Sequence, residues 1–115
     1  MKLVKKNQVR EHKNSENCIA FEYDHEDQDI DIAVVKVTGR YPETGYVVNS
    51  KCKEMVYVIS GRGIVVVENQ RFEVEAGDSY FIDAGEKFYC DNADFELAVS
   101  CTPRWNPEQH LYIEE

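Results

Sequence analysis

The cysteines and histidines are the first residues to test for chemistry, because thiolates and imidazoles are common metal ligands, nucleophiles and bases. The four cysteines stand at positions 18, 52, 90 and 101, and the three histidines at positions 12, 25 and 110. They form no C-x-x-C pair, no H-x-H pair and no Cys/His spacing of the zinc-finger kind. The spacing therefore predicts four free thiols and no structural zinc site.

The acidic run at residues 22–31 is a second candidate, since carboxylates are the ligands that calcium prefers. The run lacks the D-x-[DN]-x-[DN]-G spacing of a calcium loop, so we interpret it as a solvated turn. His25 lies inside this turn, and we expect its imidazole to be solvated as well.

Composition limits the classes of partner. The chain has 115 residues and a formal net charge of -9, which opposes binding to nucleic acid or to an anionic membrane surface. No apolar run is long enough for a membrane helix, and no apolar segment follows the charged start to make a signal peptide. We therefore expect a soluble cytoplasmic protein.

The elements that must position any site have a period of two, which is typical of strands. Short apolar runs alternate with turn residues about every 8–12 positions, a pattern that favours a sandwich or barrel. A phase slip at Val34–Val35 predicts a bulge, and turns are expected at 61–63, 69–70 and 91–94. The predicted strands cover residues 19–23, 30–37, 46–49, 54–60, 64–68, 71–75, 79–82, 87–90 and 95–101.

Helical signals are weak and lie near residues 7–16 and 107–110. Two prolines flank Trp105, so the segment around it cannot pair as a central strand. We expect this segment to cross the outside of the barrel with Trp105 as its anchor.

From about residue 39 onward, the chain resembles the cupin superfamily, and in particular its small single-domain members. In the first cupin motif, G-x5-H-x-H-x3,4-E-x6-G, Gly45 stands at the start, and six residues separate Glu54 from Gly61. In the second motif, G-x5-P-x-G-x2-H-x3-N, Gly77, Gly85 and Asn92 stand at the required offsets. Asp83 occupies the proline position of that motif.

The resemblance implies an all-β fold, a double-stranded β-helix (jelly-roll) barrel built as a single domain over residues 1–115. Residues 1–38 would supply N-terminal strands, residues 39–101 the conserved barrel motifs, and residues 102–115 a tail packing outside. It also implies a homodimer, to which a segment such as residues 1–6 could add a strand.

Typical cupins hold one divalent metal through three histidines and one glutamate inside the barrel. Here the histidine positions fall on Val47 and Asn49, or on Val48 and Ser50, and the third falls on Phe88. A single carboxylate beside such residues is not a metal site. We therefore expect no metal and no cofactor.

Strand alternation predicts which side chains face the barrel interior. The expected ligand-binding residues are Val47, Asn49, Glu54, Val56, Phe88 and Cys90. Glu54 is the candidate catalytic residue, because a carboxyl group in an apolar cavity should have a raised pKa and can serve as a general acid or base. Alternatively, Glu54 only hydrogen-bonds Asn49 or a backbone amide.

Other residues leave alternatives open. Cys52 and Cys90 could meet at the mouth and form an improvised metal or redox site, although buried cysteines usually act as small apolar side chains. A tyrosine such as Tyr41 or Tyr57 could act with a histidine, as in the epimerase branch of the superfamily. His110 could fold back over the pocket, but surface placement is the expectation for it.

The leading functional hypothesis is binding of a small organic molecule in the barrel without a metal. One alternative is a metal-independent sugar or keto-compound isomerase or epimerase, in which Glu54 carries the proton. A second alternative is an atypical metal-dependent dioxygenase or lyase. A homodimer without a ligand, with a structural or regulatory role, is the remaining alternative. The sequence does not identify the ligand.

Overall fold

The polypeptide forms a curled, nine-stranded sheet that closes into a barrel, seen in a computed structural model that describes residues 1–114. The strands are β1 (Arg10–Ser15), β2 (Cys18–Tyr23), β3 (Ile32–Tyr41), β4 (Tyr46–Asn49), β5 (Lys53–Val67), β6 (Gln70–Glu75), β7 (Ser79–Ile82), β8 (Lys87–Thr102) and β9 (His110–Ile113). Two 3₁₀ helices, Lys6–Gln8 and Pro107–Gln109, complete the described elements.

Two long strands organise the barrel. β8 pairs along one edge with β5 and along the other with β3 and β4, while β5 also pairs with β6 and β7. The strand order β1-β2-β3-β8-β4-β9 places the C-terminal strand next to β4. The all-β barrel expected from the strand pattern is confirmed.

The inner faces of β3, β4, β5, β7 and β8 build the core. Alternate side chains along β8 are buried, at Phe88 and Cys90 and then, after a shift of one residue, from Ala93 to Cys101. The same alternation buries Val56 and Val58 on β5. A strand with one face on the core produces this period of two. The alternation along β5 also turns Glu54 toward the interior.

The bulge predicted at Val34–Val35 is wrong. The β2–β3 and β3–β8 registers run without interruption through both residues, and the register shift lies between Gly39 and Tyr41. The phase slip has another cause, because β3 carries apolar residues on both of its faces. Val37 points into the core, while Ile32 lies on the exposed side.

The turn expected at 91–94 is also wrong, as is the break at 61–63, since β8 and β5 are continuous there. Gly61 and Asn92 mark a place where the two strands pair irregularly instead. The β5–β8 register shifts there, between Arg62 and Ile64. Gly61 has a φ of +81°, and a Cβ there would clash with the backbone oxygen of Asp94. Glycine is therefore required where the two long strands cross closely at this corner.

The hairpin predicted near residue 69 is confirmed, one residue earlier than expected. Glu68 and Asn69 have φ values of 47° and 69°, and Val67 pairs with Gln70 across the turn. Two consecutive left-handed residues are typical of the two-residue hairpin loop that matches the strand twist. The helix considered near residues 7–16 is wrong, because β1 occupies most of it.

Candidate active site in the barrel

A cavity of about 380 Å³ occupies the interior and opens at one end of the barrel. Strand alternation lines its inner walls with apolar side chains and thiols, while polar side chains lie near Glu54 and at the open end. The apolar and thiol lining includes Cys18, Val35, Val37, Phe88, Cys90, Leu97, Val99 and Cys101. A mostly apolar pocket with few polar groups is the usual form of a small-molecule site.

Glu54 projects from β5 into this cavity. Its Oε2 accepts a hydrogen bond of 2.6 Å from Asn49 Nδ2. Burial raises the pKa of Glu54 to about 7; the Asn49 hydrogen bond lowers it in part, and the charge of Asp31 raises it. The hydrogen bond to Asn49 expected for Glu54 is present, and the carboxyl group also faces the cavity, so its catalytic role stays a prediction.

Asn49 is fully enclosed behind Glu54 and connects it to the C-terminal segment. Its Oδ1 accepts three hydrogen bonds, from Trp105 Nε1 at 3.2 Å, Gln109 Nε2 at 3.1 Å and His110 Nδ1 at 2.7 Å. Because its Nδ2 donates to Glu54, the orientation of the amide is fixed by the network.

The tautomer of His110 follows from this arrangement. An amide oxygen only accepts, so Nδ1 of His110 carries the proton, and burial lowers the pKa of His110 to about 4, which keeps the ring neutral. Nε2 must then accept from the Tyr41 hydroxyl at 2.7 Å, and Tyr41 in turn accepts from Tyr112 at 3.0 Å. Every donor in the series Tyr112, Tyr41, His110, Asn49 points toward Glu54.

The C-terminal segment reaches the site because it pairs with β4. β9 lies antiparallel to β4, with His110 opposite Asn49. Gln109 Oε1 also accepts from the backbone N–H groups of Lys51 and Cys52, each at 3.2 Å, which fixes the turn before β5. These contacts hold the 3₁₀ turn and His110 against the barrel.

Trp105 anchors this segment, as expected, by packing against the core, and it also lines the cavity. The expectation for His110 is corrected, because His110 lines the cavity and does not lie on the surface. The prolines do prevent strand pairing around Trp105. The Asp31 carboxylate, which accepts from the Trp105 backbone N–H at 2.9 Å, directs this segment back over the mouth.

Of the six predicted ligand-binding residues, Glu54, Phe88 and Cys90 line the cavity. Asn49 lies behind Glu54 in the network described above. Val47 and Val56 are buried in the wall and do not line the cavity. Sequence reasoning did not select Tyr80, although its alternation with Ile82 on β7 would have placed it on the inner face.

The four cysteines are free and buried. Cys52 neighbours Cys101 in the core, whereas Cys90 lines the cavity and Cys52 does not, so Cys52 and Cys90 form no shared site at the mouth. Burial raises the pKa of Cys18 to about 12 and raises that of Cys90 further. Protonated, buried thiols are poor nucleophiles, so Cys18 and Cys90 serve here as cavity wall.

A profile described as a cupin domain matches residues 40–101 of the sequence. The chain belongs to the cupin family. No curated protein matches it at a significant level. No helix within residues 1–114 is long and apolar enough to cross a membrane.

Several solved cupin-like barrels share the fold. Pac13 from Streptomyces, a nucleoside dehydratase, gives a TM-score of 0.86 at 14% identity, covering 99% of this chain and 92% of Pac13. The polyketide cyclase RemF from Streptomyces resistomycificus gives 0.74 at 16% identity, covering 100% of this chain and 87% of RemF. KdgF from Halomonas sp. gives a TM-score of 0.72 at 14% identity, covering 94% of this chain and 98% of KdgF. At these identities the likeness shows the fold alone.

The metal centre of typical cupins does not fit the residues of this cupin. Its motif positions carry Val47, Asn49 and Phe88 around Glu54, which together offer one carboxylate and no imidazole. No group of three or more His, Cys, Asp and Glu side chains within residues 1–114 is arranged to hold a metal ion. The donor set therefore disagrees with the group that the fold family implies.

Metal content provides a direct check on this cupin. We expect protein purified without a tag or chelator to carry iron, zinc, manganese and nickel each at well below one ion per chain, because one carboxylate gives too few ligands. Elemental analysis by plasma mass spectrometry would measure this. Near-stoichiometric metal would contradict the argument and restore the dioxygenase or lyase alternative.

Two opposed pKa shifts govern how pH affects the stability of the barrel. Glu54 has its pKa raised from 4.5 to about 7, so ionisation of the unfolded chain removes stability as pH rises between those values. His110 has its pKa lowered from 6.5 to about 4, so protonation of the unfolded chain removes stability as pH falls between those values.

The two contributions should offset one another in the wild-type protein between pH 4.5 and 6.5, and single variants should separate them. In Glu54→Gln, the free energy of unfolding should rise with pH by about 3 kcal/mol across this window; in His110→Gln, it should fall by a similar amount. Urea unfolding at several pH values measures both slopes. Parallel slopes in the wild type and both variants would show that the shifts are absent.

Proposed function

We propose that this cupin binds a small organic molecule in the barrel without a metal and transfers a proton on it, with Glu54 as the general acid and base. The observation that carries the proposal is the Glu54 carboxyl group in the cavity, with Oε2 held by Asn49 at 2.6 Å. Its pKa of about 7 keeps comparable amounts of acid and base at neutral pH. Such a group can both take and return a proton.

One carboxyl group is sufficient for two related reactions. In an isomerisation of a hydroxy carbonyl compound, Glu54 removes the proton from the hydroxyl-bearing carbon, and the C–H electron pair passes into an enediolate. The hydroxyl proton moves to the former carbonyl oxygen, and Glu54 returns its proton to the former carbonyl carbon, which gives the isomer. An epimerisation also needs a second acid, which delivers a proton to the opposite face of the enolate. In a dehydration, the electron pair of the broken C–H bond forms a C=C bond while a β-hydroxyl group leaves. Glu54 gives the proton it has taken to this hydroxyl group, which departs as water.

The comparisons support organic ring compounds as the first substrates to test. Pac13 is a nucleoside dehydratase, and variants of it are known with uridine, while RemF is a polyketide cyclase. Both names describe chemistry on organic molecules of a size compatible with a cavity of about 380 Å³. Their activities are proposals for this chain.

The test is proton exchange with solvent. The protein is incubated in D₂O with a panel of aldoses, ketoses, nucleosides and nucleoside aldehydes, and the products are followed by NMR and mass spectrometry. Incorporation of deuterium or loss of water that depends on the protein supports the proposal. If a panel member binds without exchange or turnover, the barrel is a binding module and the catalytic part of the proposal fails.

Homodimerisation, which the cupin resemblance implies, stays a prediction. Met55, Tyr57 and Ile59 alternate along the outer face of β5, and Phe81 is paired with Met55 on β7; all four are exposed. We expect sedimentation equilibrium to give about twice the chain mass of 13.3 kDa. Met55→Asp should then shift the mass to that of one chain. A wild-type mass of one chain would refute the prediction.

A further inference from the structure

The mouth of the cavity contains two arginines, and carboxylates occupy both. Arg104 Nη1 lies 2.9 Å from Asp24 Oδ1, and Arg10 Nη2 lies 3.4 Å from Asp24 Oδ2. Arg10 Nε also approaches Glu22 at 3.5 Å. The hydrogen bond from Arg104 lowers the pKa of Asp24 to about 2, so this pairing persists at neutral pH. Each guanidinium therefore already has a carboxylate partner.

The remaining charges around the cavity are negative. Two arginines face five carboxyl groups, those of Glu22, Asp24, Asp27, Asp31 and Glu54. The Asp31 oxygens accept from the backbone N–H groups of Cys101 and Trp105, so this carboxylate is fixed at the mouth without a cationic side chain. An anion entering the barrel would meet repulsion and would have to compete with these carboxylates for the two arginines.

The interior offers neutral hydrogen bonding. Tyr80 lines the cavity from β7, and its hydroxyl makes no hydrogen bond to any of residues 1–114. Burial raises the pKa of Tyr80, so the hydroxyl remains a donor. Glu54 has one oxygen bound by Asn49, and the other makes no hydrogen bond to the described part of the chain. These two polar groups face the cavity without a protein partner and are therefore available to a ligand or to solvent.

We infer that the barrel selects an uncharged ligand with hydroxyl or carbonyl groups, held between the Tyr80 hydroxyl and the free oxygen of Glu54, and that the carboxylates at the mouth exclude anions. This inference rests on the proposed function, since both place the ligand in the same cavity. A cation is not repelled at the mouth, but inside the barrel it would lose its hydration against mostly apolar walls.

The experiment uses ligands matched in shape and different in charge. Uridine is compared with uridine 5′-monophosphate and 5′-amino-5′-deoxyuridine, and methyl glucoside with glucuronic acid and glucosamine, by NMR titration of the labelled protein. The uncharged member of a series should bind more tightly than both charged members. Tyr80→Phe should weaken its binding by about tenfold, while Tyr57→Phe, on the exposed face, should leave it unchanged.

A second variant tests exclusion at the mouth. Asp24→Asn releases Arg104 and should raise the affinity for the monophosphate by about tenfold. Asp94→Asn removes the same charge from an exposed position outside the cavity and should have no effect. Preferred binding of a charged member, or equal affinity of Tyr80→Phe, overturns this inference and leaves the proposed function intact. Absence of binding by every probe overturns both.

Discussion

Glu54→Gln should lower the rate of proton exchange or turnover by about two to four orders of magnitude, the usual contribution of a general acid or base. Glutamine has nearly the same shape, and its amide oxygen can still accept from Asn49 Nδ2. It cannot take a proton from carbon. The rate is measured on the substrate that the D₂O screen yields, at saturating concentration and at several pH values.

The contrast with other variants makes this result specific. Glu73→Gln changes an exposed glutamate on β6 and should leave the rate unchanged. In the wild type, the rate should rise with pH through a value near 7, the pKa of Glu54, when the base form acts first. Unaltered turnover in a folded Glu54→Gln protein would remove Glu54 from the chemistry.

The inward position of Glu54 could be predicted from the sequence because it depends on short-range alternation. Once residues 54–58 form a strand, Glu54, Val56 and Val58 must share a face, and the apolar members identify that face as the inner one. The absence of the histidine ligands could also be predicted, because the motif spacing shows which residues stand at their positions. Local pattern and motif spacing therefore located the cavity and its central carboxyl group.

The partners of Glu54 could not be predicted, because they come from pairing across long stretches of chain. His110 meets Asn49 only because β9 aligns with β4 in one register. A short strand of four residues carries too little pattern to fix that register. The prolines beside Trp105 were correctly interpreted as breaking strand pairing, but they carry no information on which way the indole turns.

The same principle explains the errors within long strands. Glycine and asparagine at Gly61 and Asn92 have positive φ values, as turn residues do. Inside a barrel, these conformations also serve to bend a continuous strand at a corner. The same residues therefore indicate either a turn or a bend within a strand. For this reason the sequence predicts two shorter strands in place of β5 and two in place of β8, and only the strand pairing shows that each is continuous.

The largest stability effect should come from Asn49, where a single buried side chain satisfies four polar groups. Asn49→Ala leaves the N–H groups of Trp105 and His110 without their acceptor and removes the donor to Glu54. Each buried polar group left unsatisfied costs about 1–3 kcal/mol, so we expect the free energy of unfolding to fall by about 4 kcal/mol. Chemical denaturation measures the loss, and Asn7→Ala, at an exposed asparagine, is the control.

Asn49→Asp separates the two roles of this residue. The carboxylate keeps an acceptor for the three N–H donors but replaces the amide donor that faces Glu54 with a second negative charge. The pKa of Glu54 should therefore rise above its present value of about 7, because two close carboxyl groups resist joint ionisation. Carbon-detected NMR of labelled glutamate follows this titration. If Asn49→Ala costs less than about 1 kcal/mol, or Asn49→Asp leaves the Glu54 titration unmoved, the network does not organise the site.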